Sequence, residues 1–173
     1  MSGARTAAIA VAAPARGWRR SLPGAAARAE EAARAALAAL RRSRVVTAGG
    51  GEIEVSVVLG DDAMVRALNR RWRGRDAATN VLAFASEEAP LPGRPLLLGD
   101  VILAHATVAR EAAAQGKTLA DHLAHLVIHG VLHLAGYDHE KSRDALRMEA
   151  LERRILARLG IADPYRERVA GDD

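Results

Sequence analysis

Residues 118–139 read TLADHLAHLVIHGVLHLAGYDH, and the fold is decided by how they are read. The stretch is long and mostly apolar, which predicts a helix, and Gly136 stops it, because glycine takes the left-handed conformation that ends a helix and turns the chain back. On that helix His129 and His133 stand four apart. They share one face with Cβ atoms about 5 to 6 Å apart, near enough to hold one metal ion. His139 follows two residues after the turn and is the expected third ligand. Three neutral imidazoles with a fourth position open form a catalytic zinc site, where water is acidified to a pKa of about 7. Two other readings stay open. The histidines are unrelated residues of a core helix, or they hold a structural zinc that Asp138 closes as the fourth ligand, since the chain has no cysteine.

The spacing is that of H-E-x-x-H-x-x-G-x-x-H, the zinc-peptidase motif in which glutamate is the general base. Here the base position is Gly130. Glycine inside a helix costs about 1 kcal/mol relative to alanine, so a crowded site is expected, with room left beside the ion. Without the glutamate, peptide hydrolysis lacks a group to carry the proton to the leaving nitrogen. An RNA phosphodiester has its own nucleophile in the neighbouring 2′-hydroxyl, and hydroxide at the metal can accept the proton. His122 and His125 extend the stripe but are not expected as ligands. His125 lies about 12 Å along the helix axis from His133, too far to share its ion, so both are read as surface or supporting residues. His105 is read as an isolated loop or helix-start residue without a functional role.

Half of the 173 residues are hydrophobic, enough for one domain, placed over 1–165, with RERVAGDD at 166–173 as a frayed tail. Lys and Arg number 25 against 21 Asp and Glu, a net charge of +4 that favours a polyanionic partner. The absence of cysteine excludes disulfides, and with them a disulfide-linked partner, and is consistent with a reducing cytosol. No apolar stretch reaches the ~18 residues of a membrane span, so a soluble chain without a membrane partner is expected. The opening MSGARTAAIAVAAPARGW raises a secretory signal, but Ile9 and Val11 alternate as along a strand, and a strand is the reading adopted.

Further strands are expected at 6–12, 52–59, 80–85 and 96–104. Helices are expected over 24–42, after Asp61 or Asp62 as cap, over 105–117 and 118–136, and over 142–159 with Leu146, Met148 or Glu149, Ile155 and Leu159 in its repeat. VTAGGG, WRGRDAATN and EEAPLPGRP read as loops. This mixed order, with a long helix on a small sheet, gives α+β or irregular α/β. Within NRRWRGRD (69–76), Arg70, Arg71, Arg73 and Arg75 form a candidate phosphate clamp, the plain alternative being a solvated helix end. Trp72 is expected in the core rather than as a base-stacking surface.

With SVVLGDD, ALNRRWRGRDAATNVLAF, LGDVILA, HLVIHGVLHLAGYDHE and LGIADPY all in place, the chain resembles the YbeY family of bacterial rRNA maturation factors over nearly its whole length. The resemblance implies an α+β fold with a small mixed sheet flanked by helices and a zincin-like metal-binding helix. It implies one zinc ion per chain held by His129, His133 and His139, a functional Arg73, and Arg70, Arg71 and Arg75 toward substrate. It also implies a cytoplasmic, single-strand-specific endoribonuclease acting on ribosomal RNA of the small subunit, at its 16S 3′ end. Asp138 and Glu140 would orient ligands or shuttle protons. The chain departs from the family at Ala78, Ala83 and Ala85, where proline or serine is usual, which removes any serine hydroxyl from that strand; Thr79, Asn80 and Phe84 remain. A ribosome-assembly factor that binds RNA and keeps a structural metal is the alternative, and a metalloprotease rests on the histidine spacing alone.

Overall fold

A computed structural model describes residues 6–40, 52–138 and 140–166. Strand β2 (Ile53–Gly60) explains the sheet, because its side chains alternate: Ile53, Val55, Val57 and Leu59 are buried, while Glu54, Ser56 and Val58 are half-buried on the opposite side. β1 (Ala7–Ala12) and β4 (Leu96–Ala104) pair with it in parallel, and β3 (Val81–Ala85) closes the order β1-β2-β4-β3 as an antiparallel edge strand on β4. The result is the expected α+β fold, a small mixed sheet flanked by helices. A bulge breaks the β2–β4 register, with Glu54 opposite Leu97 and Val55 opposite Gly99. Gly99 has φ 134°, and a Cβ there would come within 2.0 Å of the Phe84 carbonyl oxygen, so only glycine lets β3 approach at this point.

Helices α1 (Arg16–Ser21), α2 (Ala25–Ala39), α3 (Asp62–Arg73), α4 (His105–Ala114), α5 (Leu119–Leu134) and α6 (Ser142–Arg158) complete the chain. The main core lies between the sheet and α2, α5 and α6. Ala29, Ala32, Ala33 and Ala36 of α2 are fully buried, and their small side chains let this helix sit close against α5. The short α1 was not expected, because Trp18 alone of its residues is buried and one residue sets no period. That indole donates its Nε1–H to the Gly60 carbonyl at 2.9 Å and meets the His105 ring edge-on at 5.1 Å. His105 does open α4, and its Nε2 lies 2.9 Å from the Ser21 hydroxyl, which gives it a packing role. Residues 41–42 of the helix expected over 24–42, the VTAGGG break and residues 167–173 of the expected tail lie outside the described residues. Among the described residues no helix is long and apolar enough to cross a membrane.

Asp61, not Asp62, caps α3, accepting from the Met64 amide at 2.8 Å. Asp62 instead accepts from the amide and hydroxyl of Thr107, at 3.1 and 2.7 Å, tying the starts of α3 and α4 together. Two apolar expectations are corrected. Trp72 is 64% exposed, since the small cluster under α3 is built on Val65, Leu82, Ile102 and Ala104 with Met64 and Leu68, and offers no cover to the last turn. Leu146 is 65% exposed, because α6 buries Met148, Leu151, Glu152, Ile155 and Leu156, a stripe on which Leu146 falls out of phase.

Gly130 sits where α5 crosses β4. A Cβ there would meet Val101 Cγ1 at 2.6 Å and Cγ2 at 3.0 Å. The crowding expected at this glycine therefore comes from the sheet, and the missing side chain makes room for Val101 rather than for an ion. Gly130→Ala gains about 1 kcal/mol of helix propensity but forces an overpacking cost of roughly 1–3 kcal/mol against a stiff β-branched side chain. Calorimetry is expected to give a lower Tm for Gly130→Ala and a clearly sub-additive loss for Gly130→Ala with Val101→Ala. A higher Tm for the single variant would refute the contact.

Candidate metal centre

Helix α5 is apolar around most of its circumference but carries His122, His125, His129 and His133 along one side. The i, i+4 pair behaves as its spacing requires: His129 Nε2 and His133 Nε2 stand 3.1 Å apart. Two nitrogens bound to one tetrahedral zinc at about 2.05 Å would be separated by about 3.3 Å, so the pair fits a shared ion with little movement. What turns His129 this way is on α6. Its Nδ1 lies 2.6 Å from Glu152 Oε1, and Glu152 is completely buried. Burial by itself raises a carboxyl pKa, but hydrogen bonds from His125 and His129, with the charge these rings can carry, outweigh it and hold Glu152 at about 2. An ionised carboxylate only accepts, so the proton of His129 is on Nδ1 and its Nε2 lone pair faces His133.

The second oxygen of Glu152 is also in use. His125 Nε2 approaches it at 3.0 Å, and the Tyr165 hydroxyl donates to it in a short hydrogen bond. Arg153 stacks on the Tyr165 ring at 5.2 Å and fixes that side of the site. His125, His129 and Glu152 place ligand atoms within 4.8 Å of one another, and this group could itself hold a metal ion. It uses His129 through Nδ1, whereas the pair with His133 uses Nε2. His139 lies outside the described residues. Gly136, at φ 93°, ends α5 as expected, with the Tyr137 amide returning to the Leu132 carbonyl at 3.1 Å. Asp138 accepts from the Glu140 amide at 2.9 Å, a local turn contact.

His129, Gly130 and His133 line a cleft of about 420 Å³ whose other walls are β3, Thr79, Asn80, Asn69, Arg73 and Arg75. The structure thus divides the four arginines. Arg73 and Arg75 share the cleft with the histidine pair, while Arg70 and Arg71 lie on the outer side of α3 with Arg66 and Asp76. Arg70, Arg71 and Arg73 are divided by their positions around α3, and Gly74, which at φ 67° ends that helix, lets the Arg75 amide bond back to Asn69. Arg73 donates to the Ala83 carbonyl at 3.2 Å and lies 5.6 Å from the Phe84 ring centre, which holds its guanidinium against the edge strand.

The start of that strand is anchored by groups that the sequence did not single out together. Asn80 donates to both oxygens of Glu111, at 3.2 and 3.0 Å, and accepts from the Val81 amide at 2.7 Å. His122 Nε2 meets Glu111 at 2.8 Å. Burial lowers the His122 pKa more than Glu111 raises it, so the ring is neutral and donates this proton. His122 is buried, and its reading as a surface residue is replaced by the supporting one; His125 likewise supports Glu152. Glu152 itself left a signal in the sequence, a carboxylate in phase with Met148, Leu151 and Ile155, which only the correct choice of stripe exposes.

Residues 21–160 match the family described as Endoribonuclease YbeY. A relative with that name from Paramagnetospirillum magneticum is 56% identical over 92% of this chain and 96% of its own length. Another from Rhodospirillum rubrum is 55% identical over 86% of this chain and 76% of its own. A solution structure from Thermotoga maritima shares the fold, with a TM-score of 0.50 at 23% identity, covering 90% of this chain and 97% of that one.

Replacing Glu152 by glutamine keeps its volume but cannot accept from both rings, and is expected to lower metal affinity about 10- to 100-fold in a chelator competition titration. Glu152→Ala should in addition cost about 3 kcal/mol or more of stability, read by chemical denaturation, because it strands buried imidazole donors. Unchanged metal affinity in both variants would remove Glu152 from the centre.

Proposed function

Since the chain belongs to the YbeY endoribonuclease family, we propose that it is a zinc-dependent, single-strand-specific endoribonuclease that matures ribosomal RNA at the 3′ end of the small-subunit (16S) species. The observation that carries this reading is the convergence of His129 and His133 Nε2, 3.1 Å apart, in a cleft that also contains Arg73 and Arg75. In this reading His139 is the third ligand to one zinc ion per chain. Residues 1–165 make up the single catalytic domain and 166–173 a tail. The setting is the cytoplasm, with the small ribosomal subunit as partner.

When bound, the zinc ion supplies positive charge to a phosphoryl oxygen and acidity to water. The protein's own groups do the rest. Glu152 keeps the Nε2 lone pair of His129 turned toward the ion. Arg73, steadied by Ala83 and Phe84, offers its fork to the phosphate and stabilises charge as it develops there, with Arg75 beside it. Arg70 and Arg71 add positive potential outside the cleft, which draws the strand in without touching the scissile phosphate. No base comes from position 130: the Cβ direction of Gly130 runs into the Val101 methyls, so a glutamate there would have to displace that side chain. That argues against peptide hydrolysis, and it suits a substrate whose 2′-hydroxyl lies next to the bond that breaks.

One observation favours a second reading, an RNA-binding assembly factor with a structural metal. The His125, His129 and Glu152 group is built on a completely buried carboxylate, and an ion held there would rest on a ligand that substrate cannot reach. The two separate on a defined single-stranded RNA. His133→Ala and Arg73→Ala are each expected to lower kcat by about 10²- to 10³-fold, and His133→Ala and His139→Ala to lose stoichiometric zinc by metal analysis. Cleavage that persists without zinc in these variants would defeat the nuclease reading. Tight RNA binding without turnover by zinc-loaded wild type would select the assembly factor.

A further inference from the structure

The end of α3 holds a feature that the cleft chemistry leaves unused. Trp72 is 64% exposed, while the chain's other tryptophan, Trp18, is fully buried. The Arg71 guanidinium lies 5.1 Å from the Trp72 ring centre, covering part of one face and steadying the indole. Among the described residues Arg70, Arg71, Arg73 and Arg75 have no carboxylate within salt-bridge distance, although Arg66 on the same helix is paired with Asp76 at 2.8 Å. Successive helical residues diverge by about 100°, so Arg73 lines the histidine cleft while its chain neighbour Trp72, on the same last turn of the helix, is exposed outside the lining. A helix end that only needs to stay soluble has use for the arginines but none for an exposed indole.

We propose that Trp72 is a base-stacking platform for single-stranded RNA, taking the base of a nucleotide just outside the cleft while Arg73 and Arg75 hold the phosphates leading to the histidine pair. This rests on the nuclease reading and deepens it. Unpaired bases offer a π-face to an aromatic ring, paired bases do not, and the arrangement of a fixed ring among unpaired guanidinium groups is one that single strands occupy. It gives single-strand preference a physical source separate from the metal.

The test uses the full-length protein and a 2′-O-methyl single-stranded oligonucleotide, which binds but cannot be cut through its 2′-oxygen. Saturation is expected to quench the exposed tryptophan emission of wild type and to leave the remaining emission of Trp72→Phe unchanged. Trp72→Ala should weaken binding about 5- to 150-fold, and Trp72→Phe should keep most of it. Circular dichroism melts serve to check that both variants remain folded, as the exposure of Trp72 implies. Wild-type emission left unquenched at saturation, or Trp72→Ala binding as tightly as wild type while cleavage continues normally, would overturn the platform and leave the nuclease intact. A wild type that neither binds nor cuts RNA would instead overturn the reading on which it stands.

Discussion

The carboxylate of Glu152 has no contact with solvent, and its two oxygens are shared among His125, His129 and Tyr165. An ion in that position is tolerable only because donors surround it, and each donor is thereby fixed. The consequence reaches the surface through a single ring. With Nδ1 of His129 committed to Glu152, Nε2 is the atom left for His133 and for the cleft. The same contact joins α5 to α6, so the last helix of the chain is held to the centre by the group that orients its ligand. Removing the carboxylate would disturb stability and metal affinity together, because one set of hydrogen bonds serves both.

A second constraint sets where the centre faces. Gly130 brings α5 into contact with Val101 of β4, and the edge strand β3 then lies alongside the histidine pair as the opposite wall of the cleft. Gly99 does the corresponding work one strand over, letting β3 approach β4 where a side chain would strike the Phe84 carbonyl. The start of β3 is pinned by Asn80 and Glu111, with His122 behind them. Two glycines and one polar triad, of which His122 is buried, thus place a wall that has no catalytic group of its own. The first of them also bears on the missing general base: a side chain at position 130 would start against the Val101 methyls, which must shift to admit a carboxylate there.

Features that depend on neighbours in sequence were legible beforehand. The pairing of His129 with His133, the stop at Gly136, the alternation along β2 and the cap at the start of α3 are all local, and each was expected from spacing or residue type. Features that depend on what lies across the fold were not. Trp72 continues the stripe of Val65 and Leu68, and periodicity alone puts it in the core; its exposure reflects where the apolar cluster beneath α3 ends. Glu152 sits in a stripe whose phase was ambiguous between Met148 and Glu149, and Leu146 was assigned to the wrong side for the same reason. The short α1 buries one residue and leaves no pattern. Distance along the helix separates His125 from His133 in the sequence, but the partners of His122 and His125, Glu111 and Glu152, come from α4 and α6.

The arginine cluster joins these two kinds of information. Four guanidinium groups close together in sequence imply an anionic partner, yet their sequence positions do not tell which of them meet it at the same point. Position around α3 divides Arg73 from Arg70 and Arg71, and Gly74, which ends the helix in the left-handed region, precedes the turn that puts Arg75 on the histidine side. In the proposed reading, charge that draws a strand in is spread over both sides of the helix end, whereas contact with a phosphate beside the histidine pair is open only to Arg73 and Arg75. A change at Arg73 should therefore act on turnover, and a change at Arg71 on capture. In this chain those two functions are divided by the roughly 200° that separates Arg71 from Arg73 around the helix.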